Sequence, residues 1–148
     1  MVHLEGGSIS PVLTVQNSPD QFVVGRGKDL ITFRWDGVDG SDPQDVTVLA
    51  SIDQDRPTNK FNDGKADSTG RIWAGTMEED GQSGRASFFL FSPEDGFQPH
   101  KKLNATTSNG LAWNNDDTIF YYIDSNTRKI DKFDFDKEKG EISKFRSK

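Results

Sequence analysis

Apolar and polar residues alternate in short runs along this chain, the period-2 signature of strands with two unlike faces. The runs predict strands over residues 10–15, 22–25, 30–36, 46–51, 72–76, 87–91, 111–113, 119–124 and 129–135. Turn signals separate them: Asn17-Ser18-Pro19-Asp20, Asp67-Ser68-Thr69-Gly70 and Asn114-Asn115-Asp116-Asp117. No segment carries a helical period.

The same three turns mark a repeat. Each is followed by a short apolar strand, "QFVVGR", "RIWAGT" and "IFYYID", and then by an aromatic-rich one, "LITFRW", "ASFFLF" and "KIDKFDF". Gly25, Gly75 and Ile123 hold matching places, 50 and 48 residues apart. A charged or Gly-bearing turn and a further short strand close each unit. Four strands recurring at ~40–50 residues are the signature of propeller blades. The near-equal spacings favour this over a single β-sandwich or barrel. The fold class expected is therefore all-β, with about three four-stranded antiparallel blades over residues 8–51, 59–104 and 106–146. Three blades do not close a ring, so exposed blade edges and self-association are expected.

Composition narrows the function classes. The 148 residues fit one ordinary domain and carry a net charge of -6. No basic patch supports nucleic-acid binding. No apolar run reaches membrane-spanning length, and MVHLEGGSIS has no apolar signal core. The chain has no cysteine, which excludes disulfides and thiolate chemistry and suits a reducing, cytoplasmic compartment. Asn104-Ala105-Thr106 forms a glycosylation sequon that, without a signal peptide, reads as coincidence.

Candidate chemistry sits just before the inner strands of the second and third units. Asn62-Asp63-Gly64 and Ser108-Asn109-Gly110 recur one blade apart and would bring Asn62, Asp63 and Asn109 to one channel. Amide and carboxylate oxygens are the ligands hard cations prefer. The same dipeptides are also ordinary turns. Glu78, Glu79 and Asp80 follow on a connection and read first as a solvated loop. His3 and His100 share no ligand spacing. Residues 134–145 resemble a calcium loop, but Lys139 and Phe145 stand where Gly and the bidentate Glu belong, so the segment reads as a hairpin.

"NKFNDGKADSTGRIWAGTMEED" and "SNGLAWNNDDTIFYYIDSNTRKIDKFDFD" closely resemble the senescence-marker-protein/gluconolactonase/luciferin-regenerating family. The resemblance runs from about Val12 to Phe145. It implies a six-bladed propeller of which this chain is a central half. It also implies a central divalent metal, calcium or zinc, and hydrolysis of small sugar lactones. A non-enzymatic calcium-binding, regulatory or interaction role is the alternative. By the same resemblance Asn109 matches a metal ligand, while Lys60, Asn62, Met77 and Asp80 match substrate-side positions. Lys60 stands for an Arg, losing a bidentate fork, and Asp80 for a Glu. A ligating Glu in the family's "GESPVW" has no counterpart upstream of Val12, and a ligating Asp of the fourth blade would lie beyond Lys148. The chain alone is therefore expected to be impaired as a lactonase, with no complete catalytic set.

Overall fold

The computed structural model describes residues 1–79 and 84–144. Its strands form three four-stranded antiparallel sheets, in sequence order from the centre outward. The first contains β1 (Ile9–Val15), β2 (Ser18–Arg26), β3 (Asp29–Arg34) and β4 (Gln44–Ser51). The second contains β5 (Asn59–Ala66), β6 (Ile72–Glu78), β7 (Ala86–Phe91) and β8 (His100–Ala105). The third contains β9 (Ser108–Trp113), β10 (Ile119–Asp124), β11 (Asp131–Asp136) and β12 (Glu141–Lys144). The inner strands β1, β5 and β9 lie side by side, as blades around a propeller axis do. The architecture is that of a partial β-propeller.

Alternation within each strand decides which neighbour a side chain meets. In β2, Val23 packs toward the second sheet, whereas Val24 faces the other way with Ile31 and Phe33. In β6, Ile72 and Ala74 meet the first sheet, while Trp73 meets the third. The second sheet is thus covered on both sides, which explains why β6 and β7 read as nearly continuous buried runs, IWAGTME and ASFFLF. Trp73 stacks at 5.9 Å on Phe88 and lies 5.6 Å from Phe120, welding the second blade to the third. The outer strands β4 and β12 are largely exposed.

The recurring glycines have a packing reason. A Cβ on Gly25 would lie 2.6 Å from Phe61 Cβ of the next blade, and one on Gly75 would strike Ser108 of the blade after. Glycine at these places lets the second strand of one blade approach the inner strand of the next closely. At the third place Ile123 turns its side chain onto Gly110 of its own sheet.

Three local expectations are corrected. Asn62-Asp63-Gly64 and Ser108-Asn109-Gly110 are not turns ahead of the inner strands but parts of β5 and β9. The register slips between Phe61 and Gly64, and opposite Tyr122 and Ile123, so both triplets sit at bulges. The signal at Asn17-Ser18-Pro19-Asp20 is mostly strand: Val15 already pairs with Ser18, and only Gln16 and the left-handed Asn17 make the turn. By contrast, Asn114 caps a true turn, its Oδ1 accepting from the N–H groups of Thr118 and Ile119, each at 2.9 Å. Residues 134–145 contain the expected hairpin as far as they are described, β11 pairing with β12. The only helical pieces among the described residues are the 3-10 turns Pro93–Asp95 and Ser125–Thr127.

Candidate functional site

The connections entering the inner strands are held by carboxylates, Asp53 half-buried and Asp124 buried. Asp53 Oδ2 accepts from Asn59 Nδ2 at 2.6 Å and from Thr76 Oγ1 at 2.9 Å, fixing the start of β5 against β6. One blade on, Asp124 accepts from the backbone N–H groups of Thr106 at 2.8 Å and Thr107 at 3.0 Å, fixing the start of β9. Carboxylates that accept such bonds rigidify the backbone they hold. Sequence reading passed over Asp53 and Asp124, because each acts through a partner far away in the chain.

The bulged triplets place the two asparagines. Asn62 Nδ2 donates to the Ser108 carbonyl at 2.8 Å, so Asn62 lies next to the residue preceding Asn109. The Ser10 hydroxyl donates in turn to the Asn62 carbonyl. Three inner strands are thereby tied together at one level. Asn109 Nδ2 donates to Ser125 Oγ at 2.9 Å. Each amide donates one N–H to the protein, and neither side-chain oxygen accepts from a described residue. Asp63 is turned into local structure, its Oδ1 accepting from the Gly64 N–H at 2.8 Å.

Lys60 lies two residues before Asn62 on β5. Its Nζ sits 2.8 Å from Glu79 Oε1. The hydrogen bond and the charge of Lys60 hold the Glu79 carboxyl below the usual range. Both residues line a recess of about 480 Å³ between the first and second blades, whereas Asn62 and Asn109 do not. Met77 pairs with Lys60 across β5 and β6 and bridges to Thr107, so it stands between the recess and the start of β9. Asp80 lies outside the described residues. Glu78, taken as part of a solvated loop, is instead 1% exposed. Its Oε1 meets Thr58 Oγ1 at 3.3 Å and Arg85 Nη1 at 3.4 Å.

The metal expectation can be tested on these donors. Calcium takes ~6–8 oxygens, with carboxylates usually among them. Asn62 and Asn109 offer two neutral carbonyl oxygens. No group of three or more acidic, His or Cys side chains stands together among the described residues. This set does not fit a divalent cation on its own.

Comparison with known proteins fixes the kinship of the fold. Residues 3–147 match the family model described as SMP-30/Gluconolactonase/LRE-like region. The chain belongs to this family. Within the SMP-30/gluconolactonase/LRE-like family, regucalcin of Macaca fascicularis is 40% identical over 131 residues, covering 85% of this chain and 42% of that protein. Regucalcin of Xenopus laevis is 35% identical over the same share of each chain. A solved luciferin-regenerating enzyme superposes with a TM-score of 0.85 at 31% identity, covering 96% of this chain and 47% of its own. A regucalcin of Agrobacterium tumefaciens, described as a calcium-binding protein, superposes with a TM-score of 0.78 at 20% identity, a likeness of fold. The chain spans less than half the length of the curated family members it matches.

Proposed function

We propose that this chain carries the substrate-holding side of its family's sugar-lactone hydrolase site, without a self-sufficient metal centre. The observation that carries the reading is the placement of Lys60 and Asn62 on inner strand β5, at the positions that match the family's substrate contacts. Lys60 supplies a cation toward the hydroxyl groups of a polyol. Asn62 Oδ1, which accepts from no donor among the described residues, accepts from one of those hydroxyls. Met77 forms an apolar wall beside them.

Opening a lactone requires a water to add to the ring carbonyl while a base takes its proton. Glu79 is a poor base here, because Lys60 stabilises its ionised form. A divalent cation, calcium or zinc, would polarise the carbonyl and acidify a bound water, but needs carboxylates that the described channel residues do not provide. The chain alone is thus a half-site, and a cytoplasmic sugar lactone is its expected ligand class.

The test follows lactone opening by proton release, with spontaneous hydrolysis subtracted. The 148-residue chain should match buffer with or without Ca²⁺, Zn²⁺ or Mn²⁺. Grafted in place of the matching segment of macaque regucalcin, it should support metal-dependent turnover. In that hybrid, Asn109→Ala should weaken metal binding and Asn62→Ala should mainly raise KM. Clear metal-dependent turnover by the chain itself would overturn the half-site assignment.

A non-enzymatic association role is the second reading, favoured by one observation. Val23, Trp73 and Tyr121 hold equivalent places, and the first two pack against the following blade. Tyr121 joins Ala112, Ile123 and Ile130 around an apolar recess of about 380 Å³ on the third sheet. Ile130 is 69% exposed. This face suits self-association.

A further inference from the structure

The 480 Å³ recess beside Lys60 holds cations whose charge is only partly compensated. Arg26 and Lys28 flank Gly27 at the tip of the β2–β3 hairpin, and Lys60 faces them from β5. Two acids, Asp29 and Glu79, share the wall, which leaves it net positive in a chain whose net charge is -6. Glu79 is committed to Lys60 at 2.8 Å. Asp29 accepts from Ser51 Oγ at 2.6 Å and stands 3.9 Å from Arg26, a loose ion pair. The Lys28 ammonium has no hydrogen-bond or ion-pair partner among the described residues. A net positive charge in a partly enclosed recess raises the local potential and attracts anions.

The backbone adds to this wall. Gly6 and Gly7 line the recess with φ of 107° and 130°, values L side chains rarely adopt. A Cβ on Gly7 would lie 3.3 Å from Gly27 Cα, so the N-terminal segment and the hairpin tip approach as bare backbone. Neither Gly6 nor Gly7 donates its N–H to a described residue. Unspent N–H groups next to cations are a recurrent setting for oxyanions.

We propose that this recess binds the phosphate group of a phosphorylated sugar or sugar acid, with Lys28 and Arg26 as its anion-holding residues. A guanidinium fork matches two phosphate oxygens, and the Lys ammonium adds a point charge. Two cations and free N–H groups suit a tetrahedral dianion better than a planar monoanion. The volume lies within the ~300–1,000 Å³ of small-molecule sites, enough for a six-carbon ester. The sugar end of the ligand rests on the reading of Lys60, which lines the recess, as a polyol contact. The phosphate end does not.

Calorimetric titration of the whole chain at low salt, with glucose 6-phosphate, gluconate, glucose and inorganic phosphate, tests this. Glucose 6-phosphate should bind measurably tighter than glucose or gluconate, and more weakly as salt screens the pair. Lys28 sits at a hairpin tip, so Lys28→Ala and Lys28→Glu should keep the circular-dichroism spectrum. The first should weaken glucose 6-phosphate about tenfold, the loss of one charge-assisted contact, and the second should weaken it further. Inorganic phosphate binding as tightly as the ester, with the same Lys28 dependence, would keep the anion site and refute the polyol contact. An ester bound no better than glucose or gluconate, or an affinity unchanged in both Lys28 variants, would overturn the proposal.

Discussion

Replacing Asp67 by Asn should cost more stability than any other isosteric change in the β5–β6 hairpin. The Asp67 side chain is 1% exposed and receives five hydrogen bonds. Oδ1 accepts from Thr69 N at 2.9 Å, Thr69 Oγ1 at 2.7 Å and Arg71 N at 3.1 Å. Oδ2 accepts from Arg71 Nε and Trp73 Nε1, both at 2.9 Å. An asparagine fits neither way round, since its NH₂ would face at least two donors. It would also leave the largely buried Arg71 without its counter-charge. Breaking a buried pair by removing one partner costs about 3–5 kcal/mol. At roughly 2–4 °C per kcal/mol for a chain of this size, Tm should fall on the order of 10 °C at neutral pH. Burial opposes ionisation of Asp67, but the bonds from Thr69, Trp73 and Arg71 outweigh it and lower its pKa. Its stabilisation is therefore full above the unfolded value of about 4 and is lost as pH falls through the lower folded value. Thermal melts of both proteins across pH should show a gap that is constant near neutrality and closes in acid. Equal melting at pH 7, or a gap that persists undiminished at the acid end, would refute the reasoning.

Other consequences are as direct. Gly75→Ala should destabilise by about 1–3 kcal/mol in denaturant titration, because its Cβ strikes Ser108 of the next blade. Trp73→Ala should cost about 3–5 kcal/mol and uncouple the second blade from the third, read as lost cooperativity in unfolding. If the third sheet's apolar face mediates self-association, Tyr121→Lys with Ile123→Lys should shift sedimentation toward monomer, and unchanged sedimentation would count against that surface. Lys60→Arg in the macaque hybrid should lower KM for a lactone by restoring a two-pronged donor, leaving the metal requirement unchanged.

The strands were legible where side chains do the work. Alternation located β2, β3, β6, β7, β10 and β11 because each presents apolar residues to a neighbouring sheet. It gave no range for β5, β8 or β12. β5 reads as turn chemistry, NKFNDGKA, since its place depends on the backbone of β1 and β9 more than on apolar side chains. β8 and β12, HKKLNA and EISK, lie toward the outside and carry polar residues. The turn at Asn17 was placed too late because Ser18, Pro19 and Asp20 favour turns locally, while pairing with β1 draws Ser18 into the strand.

Sequence alone determined the all-β class, the blade period and the family, since each depends on a local pattern repeated or on long matching motifs. It also singled out Lys60, Asn62, Met77 and Asn109 by resemblance. Tertiary structure decided what those residues touch. Asn62 reaches the Ser108 carbonyl of the next blade, and Lys60 meets Glu79 across a strand pair. Only the fold revealed that Glu78 is buried, that Asp53 and Asp124 hold the strand entries, and that Lys28 and Arg26 share a recess with Lys60. The physical reason is range. Period and turn chemistry act over a few residues, whereas a hydrogen bond between neighbouring blades joins groups tens of residues apart whose meeting no local pattern encodes.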